Sequence, residues 1–164
     1  ETLTSGIGAR TFLELATAHE VAHQWFFNMV MNDQIDEPWL DEGFAQYLTY
    51  IYYLDRYGSS AAESYIEGDW ERRWERLDRA EIPIGKAASE YTGEQYGPII
   101  YARAPIFISH LEERMGADTF SEFLEDYVNR YRWKTVDTQD FQAMAEDACG
   151  CDLSHLFDEW VNEN

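Results

Sequence analysis

Two histidines and a glutamate near the start of the chain have the types and spacing of a metal-binding group. His19 and His23 lie four residues apart in HEVAHQWF, and Glu20 follows the first of them. On an α-helix this spacing puts the two imidazoles about 40° apart around the axis and about 6 Å apart along it. Both rings then reach one ion, and neutral imidazole nitrogens are common zinc ligands. Glu20 leans beside that ion, where a carboxylate can act as a base toward water.

A third ligand is needed, because a catalytic zinc site has three protein ligands and one open position. Histidine, aspartate and glutamate can all fill that place. The two remaining histidines, His110 and His155, lie in patterns that are typical of helix surfaces. Glu42, in WLDEGFAQY, follows His23 after 18 residues, and the intervening turn can fold its helix back against the first. The five-residue pattern alone also fits two helix histidines and a surface glutamate in register by chance.

Helical patterns, separated by turn signals, must position these residues. Pro38 lies where a first-turn proline belongs, and Gly58 and Gly116 each end a helical run. A loop over residues 81–96 is long for a compact domain, and such loops are often functional. We therefore predict one domain over residues 1–164 that is all-α or nearly so. Its seven or so helices are expected at about residues 11–31, 39–57, 59–80, 97–116, 118–132, 138–150 and 152–163.

The composition limits the classes of partner. The chain is 45% hydrophobic and 16% aromatic, as in globular proteins. Twelve basic against 32 acidic residues give a net charge of −20, which disfavours nucleic acid and anionic membrane surfaces as partners. No apolar run approaches the roughly 20 residues of a spanning helix. Cys149 and Cys151 flank one glycine, where a disulfide would be strained, so we interpret them as two small buried side chains. The sequence does not indicate a compartment.

The motif and its flanks resemble the gluzincin metallopeptidases of the aminopeptidase N type, which include leukotriene-A4 hydrolase. That family has HExxH, 18 residues and then Glu, as this chain has from His19 to Glu42. The flanking HQWF, WL and EGFA match as well, and NDQIDEPWLDE is similar to a bacterial branch of the family. The resemblance covers nearly the whole chain. It implies one zinc ion held by His19, His23 and Glu42, with Glu20 as the general base.

The resemblance also implies a role for Tyr101, in YARA, which is similar to the family's Tyr-x-Lys-Gly. Its hydroxyl is expected to donate a hydrogen bond to the oxyanion of the tetrahedral intermediate, where a positioned donor favours the transition state. Phe27 replaces a usual glycine, Asp41 a common asparagine, and Arg103 the lysine of that motif. These departures affect the expected shape of the substrate cleft rather than the metal site.

Residues around the ligands are also candidates. Ligating histidines usually donate their other N–H to a carboxylate, amide or carbonyl. Gln46, one helical turn beyond Glu42, is the first candidate for this partner, and Asp41 is the second. An aromatic cluster is expected beside the site, formed by Trp25, Phe26 and Trp39.

The resemblance implies a piece of a larger enzyme. In the family a β-sheet precedes the helical part of a thermolysin-like catalytic domain, whereas here only 18 residues precede His19. We expect a fragment whose partners are a peptide substrate and the missing N-terminal part, with an apolar face that is uncovered or packed on another copy. The expected function is zinc-dependent peptide hydrolysis of an aminopeptidase-like kind. The alternatives are a zinc-stabilised interaction module without turnover and a hydrolase of a non-peptide small molecule.

Overall fold

The computed structural model describes residues 9–162, and helices dominate this part of the chain. The predicted all-α class, with about seven helices, is confirmed for these residues. Helix α1 is Ala9–Ala22. Helix α2 begins with the π-helical turn Trp39–Gly43 and continues as Phe44–Tyr57. Helix α3 joins Ser59–Tyr65, the π turn Ile66–Glu71 and Arg72–Glu75.

The second half of the chain forms the remaining helices. Helix α4 joins Tyr96–Pro98, the π turn Ile99–Arg103 and Ala104–Met115. Helices α5, α6 and α7 are Ala117–Tyr131, Thr138–Cys149 and Ser154–Trp160. A single 3-10 turn, Ala88–Glu90, interrupts the loop before α4. None of the helices in the described part is long and apolar enough to cross a membrane.

The first helix is shorter than its sequence pattern predicts, because it ends at Ala22 rather than near Met31. Phe27 has a φ of 104°, which a right-handed helix cannot include. The chain therefore turns and enters a two-residue strand β1, Val30–Met31, which pairs in parallel with β2, Lys134–Thr135. This turn carries α2 back against α1. The third helix also ends before its predicted limit, at Glu75 rather than Ala80.

An aromatic core fixes the first turn of α2. Trp39 is fully buried, and its ring meets the rings of Phe107 and Phe141 edge-on, with centroids 5.5 Å apart in each pair. Its indole Nε1–H donates to Thr138 Oγ1 at 3.0 Å. Such aromatic pairs add about 0.5–1.5 kcal/mol each to the stabilisation from area burial. Helices α4 and α6 therefore hold in place the turn that contains Glu42.

The aromatic cluster predicted beside the site has two of its three members. Phe26 is buried and stacks on Phe44 with centroids 4.5 Å apart, and Trp39 lies 6.4 Å from the same ring. Trp25 is 44% exposed and lies outside this cluster, so that part of the prediction is wrong. The reason is the end of α1 at Ala22, which turns successive side chains to different sides.

A second face of α1 is open and apolar. A groove of about 740 Å³ runs between α1 and α2, lined in part by Leu13, Val21 and Trp25. Leu13 is 67% exposed and Val21 is 47% exposed. Contiguous exposed apolar surface of this kind is typical of an interface. This groove is the candidate for the uncovered face that the resemblance implies.

The two cysteines are joined, so their interpretation as separate buried side chains is wrong. Cys149 and Cys151 form a disulfide at the end of α6. Gly150 between them adopts the left-handed conformation, with a φ of 60°, and ends the helix. This turn brings the two Cα atoms to 5.2 Å, a separation that a disulfide can span.

Candidate metal centre

Three side chains from two helices converge at the mouth of a cleft. His19 lies in the last turn of α1, His23 directly follows the helix with its N–H bonded to the His19 carbonyl, and Glu42 lies in the π turn of α2. His19 Nε2 is 3.0 Å from Glu42 Oε2 and 3.2 Å from His23 Nε2, and the third side of the triangle is 3.5 Å. Within residues 9–162 this is the one group of three His, Cys, Asp or Glu side chains with spacing suitable for a metal ion.

The triangle has the dimensions of a zinc site. Zinc–ligand bonds of about 2.0–2.1 Å in a tetrahedron place the ligand atoms about 3.3 Å apart. The three observed separations, 3.0, 3.2 and 3.5 Å, lie on both sides of this value. Two neutral imidazoles with one carboxylate are also a common catalytic ligand set for zinc. The residues therefore fit the ion.

Hydrogen bonds orient one histidine directly. His23 Nδ1 lies 3.1 Å from the carbonyl oxygen of Phe26 and donates to it in the tautomer that leaves Nε2 free to bind metal. Nδ1 of His19 is buried and has no partner within the described part of the chain. Gln46 does not fill that place, because its Oε1 accepts from the Tyr65 hydroxyl at 2.7 Å. The prediction of Gln46 as the outer partner is wrong, since its side chain turns toward α3 rather than α1.

Asp41 also differs from its predicted role. It is almost fully buried, and its oxygens accept from the amides of Asn32 at 3.2 Å and Gln34 at 2.9 Å. Burial raises the pKa of Asp41, and the hydrogen bond from Gln34 partly opposes that rise. The carboxylate therefore ties the loop between β1 and α2 to the π turn. It supports the position of Glu42 from the loop side instead of bonding a histidine.

The surroundings of Glu42 favour its anionic form. Burial raises its pKa, but hydrogen bonds from His19, His23 and Tyr101 outweigh that effect and bring the pKa down to about 2. The bond to Glu42 also raises the pKa of His23. Burial, followed by the bond to Glu42, raises the pKa of Tyr101, which keeps its hydroxyl a proton donor at neutral pH.

The π turns of α2 and α4 bring Tyr101 to the site. The Tyr101 ring lies 6.0 Å from the His19 ring, centroid to centroid. The two turns approach so closely that a Cβ on Gly43 would lie 3.1 Å from the Cβ of Ala104. Because glycine has no Cβ, it allows α2 and α4 to approach this closely beside Glu42. Each π turn positions one side chain of the site.

The cleft beside these residues has a volume of about 620 Å³, within the usual range for small-ligand sites. Glu20 and Tyr101 both line it, as do Phe12, Phe27 and the three residues of the triangle. Asp69 and Arg73 of α3, which sequence reasoning missed, also line the cleft. Their four-residue spacing is typical of a helix-surface ion pair, and no pattern in the sequence places α3 at the cleft.

Comparison with known proteins assigns the family. The model of the peptidase family M1 domain matches residues 4–160. The chain belongs to the peptidase M1 family. Among curated M1 relatives, glutamyl aminopeptidase of Bos taurus is 24% identical over 160 residues, covering 89% of this chain and 16% of the relative. Aminopeptidase RNPEPL1 of Mus musculus is 27% identical over 176 residues, covering 98% of this chain and 24% of the relative.

Solved M1 structures share the fold. An M1 zinc metallopeptidase of Deinococcus radiodurans, an E323A mutant bound to a Tyr-Ser-Ala substrate, superposes with a TM-score of 0.76 at 23% identity. The match covers 95% of this chain and 34% of that one. Yeast LTA4 hydrolase in complex with bestatin gives a TM-score of 0.72 at 21% identity, over 88% of this chain and 24% of that one. The chain thus spans between about a sixth and a third of the M1 proteins named here.

Proposed function

We propose that this chain is the zinc-binding helical part of a larger M1 metallopeptidase that hydrolyses peptide bonds in an aminopeptidase-like manner. One observation carries the proposal: the triangle of His19, His23 and Glu42 opens into a cleft that also contains Glu20 and Tyr101. Family membership supports it. The tripeptide substrate bound by the Deinococcus relative supports a peptide substrate here.

The side chains of this cleft have distinct roles in the proposed reaction. His19, His23 and Glu42 would hold a zinc ion, which would supply a Lewis acid for the scissile carbonyl and for the attacking water. Glu20, exposed in the cleft, accepts the proton of the attacking water and passes it to the leaving amine. The Tyr101 hydroxyl donates to the developing oxyanion, which stabilises the transition state more than the substrate.

The larger protein is part of the proposal for two reasons. The chain covers only 16% of the bovine relative and 34% of the Deinococcus structure. The groove that contains Leu13 and Val21 is also mostly apolar and exposed, and burial of such surface favours association. We propose that the rest of the protein covers this groove.

The general base is tested with Glu20→Gln in the complete protein. Loss of a positioned general base should lower kcat by about 10²–10⁴-fold. Zinc content, measured on the same samples by elemental analysis, should stay at one ion because Glu20 is not among the three converging donors. His23→Ala serves as the matched variant and should lose the metal. Hydrolysis by Glu20→Gln at a rate close to that of the unaltered protein would contradict the proposed role.

A further inference from the structure

Three π-helical turns contribute side chains to the cleft, and two of them contain residues with a role in the proposed function. Trp39–Gly43 contains Glu42, and Ile99–Arg103 contains Tyr101. The third, Ile66–Glu71, contains Asp69, which also lines the cleft. A π turn accommodates one extra residue, so it rotates the following side chains by about 100° relative to a continuous α-helix. Such turns frequently occur at functional sites.

The third π turn and the helical segment after it each contribute one member of an ion pair that lines the cleft. Arg73 Nη2 donates to Asp69 Oδ1 at 2.6 Å, and the two side chains are 25% and 18% exposed. Arg73 is the only arginine or lysine among the described residues that line the cleft. A guanidinium has five N–H donors, so the bond to Asp69 leaves capacity for another acceptor.

A second arginine near the end of α3 shows what an ordinary surface pair looks like in this chain. Arg79 pairs with Glu71 at 2.7 Å and with Glu75 at 3.0 Å, and its side chain is 51% exposed. It does not line the cleft. Arg73 makes a similar pair but is half as exposed, and it lines the cleft that also contains Glu20 and Tyr101. The contrast favours a binding role for Arg73.

We propose that Arg73 binds a carboxylate of the peptide and that Asp69 holds its guanidinium in position. The proposal rests on the proposed function and names a substrate class, peptides that place an acidic side chain or a free terminal carboxylate against Arg73. Glu20, Glu42 and the net charge of −20 would otherwise repel such a group. The planar fork of arginine matches a carboxylate in a bidentate arrangement.

Equilibrium binding tests the proposal without requiring turnover. The complete protein carrying Glu20→Gln is titrated calorimetrically with short peptides that differ only as Glu against Gln, and as free acid against C-terminal amide. The preference is the ratio of the affinities of the two peptides in a pair. A larger ratio for Glu against Gln identifies the side-chain carboxylate as the bound group, and a larger ratio for acid against amide identifies the C-terminal carboxylate. Arg73→Gln on this background should reduce that preference by about tenfold to a hundredfold, the usual value of a hydrogen bond to a charged group.

Matched variants separate recognition from general effects. Arg79→Gln, which removes the comparable surface pair, should leave the preference unchanged, and Arg73→Lys should retain only part of it because the fork is lost. A preference within twofold of the unaltered value in Arg73→Gln, or no measurable binding of any carboxylate peptide, overturns the proposal. Peptides with lysine in place of the glutamate are titrated as well. Tighter binding of these lysine peptides, lost in Asp69→Asn, would show that Asp69 binds the peptide and would also overturn the proposal. Failure of the proposed function is seen separately, as absent zinc or absent hydrolysis in the protein with Glu20 intact.

Discussion

The cleft and the aromatic core differ in how regular their structure is. The cleft is lined by residues of three π turns and by Phe27, whose φ is positive. Nδ1 of His19 is buried there and has no hydrogen-bond partner among the described residues. In the core, Phe107, Phe141 and Phe157 lie on ordinary α-helices, are fully buried, and make edge-on or tilted ring contacts with one another and with Trp39 of the first π turn. Irregular backbone costs stability and persists where it positions functional groups. The comparison indicates that the core supplies the stability on which the geometry of the cleft depends.

Removing a core ring should have the largest effect on stability. Phe141 is fully buried and contacts Trp39, Phe123 and Tyr127, so Phe141→Ala leaves a cavity among other rings. We expect the free energy of unfolding to fall by about 3–5 kcal/mol, measured by urea denaturation. Phe12→Ala, at a side chain that is 44% exposed, is the control and should change it much less. Similar losses in the two variants would mean that the core is not the main source of stability.

Zinc binding should have the next largest effect on stability, and its ligands all lie at the cleft. Zinc at about 100 times its dissociation constant stabilises the folded state by about 2.7 kcal/mol. For a chain of 164 residues this raises Tm by roughly 5–10 °C. His23→Ala should abolish the shift in differential scanning calorimetry. His155→Ala, with a side chain that is 95% exposed, should keep it. A shift that survives in His23→Ala would place the metal elsewhere.

The sequence predicts the parts of this molecule that depend on helical periodicity. Residues four apart on a helix face one side, so HEVAH predicts the His19–His23 pair, and their contact is observed. Glycines at the predicted ends do lie just past α2, α4 and α6. The convergence of Glu42 on this pair required family resemblance as well as spacing, because a turn of unknown shape lies between them.

The sequence does not predict the irregular parts, because tertiary contacts decide them. The turn after Ala22 depends on pairing of Val30 with Lys134, more than 100 residues away. The outer partner of His23 is a backbone carbonyl, which every residue carries, so no residue type could indicate it. The pattern WERRWERL predicts a surface position for Arg73, and only the packing of α3 shows that this residue lines the cleft.

The smallest predicted effect on stability concerns the backbone at Phe27, where glycine should be more stabilising than alanine. With a φ of 104°, Phe27 occupies a region that costs a residue with a Cβ about 1–2 kcal/mol and costs glycine little. We therefore expect Phe27→Gly to be more stable than Phe27→Ala by about 1 kcal/mol, since both remove the ring and only glycine removes the strain. In a regular helix the order is reversed.

Glu125, exposed in the middle of α5, provides the control for this reversal. Glu125→Ala should be more stable than Glu125→Gly by about 1 kcal/mol, the usual helix propensity difference. Thermal unfolding of the four variants gives both differences, each equivalent to roughly 2–4 °C in Tm. If alanine is the more stable choice at both positions, the backbone at Phe27 is not strained, and the contrast between cleft and core is restricted to the π turns. If glycine is the more stable choice at position 27 and alanine at position 125, the backbone strain lies at Phe27, in the wall of the cleft that also contains His23.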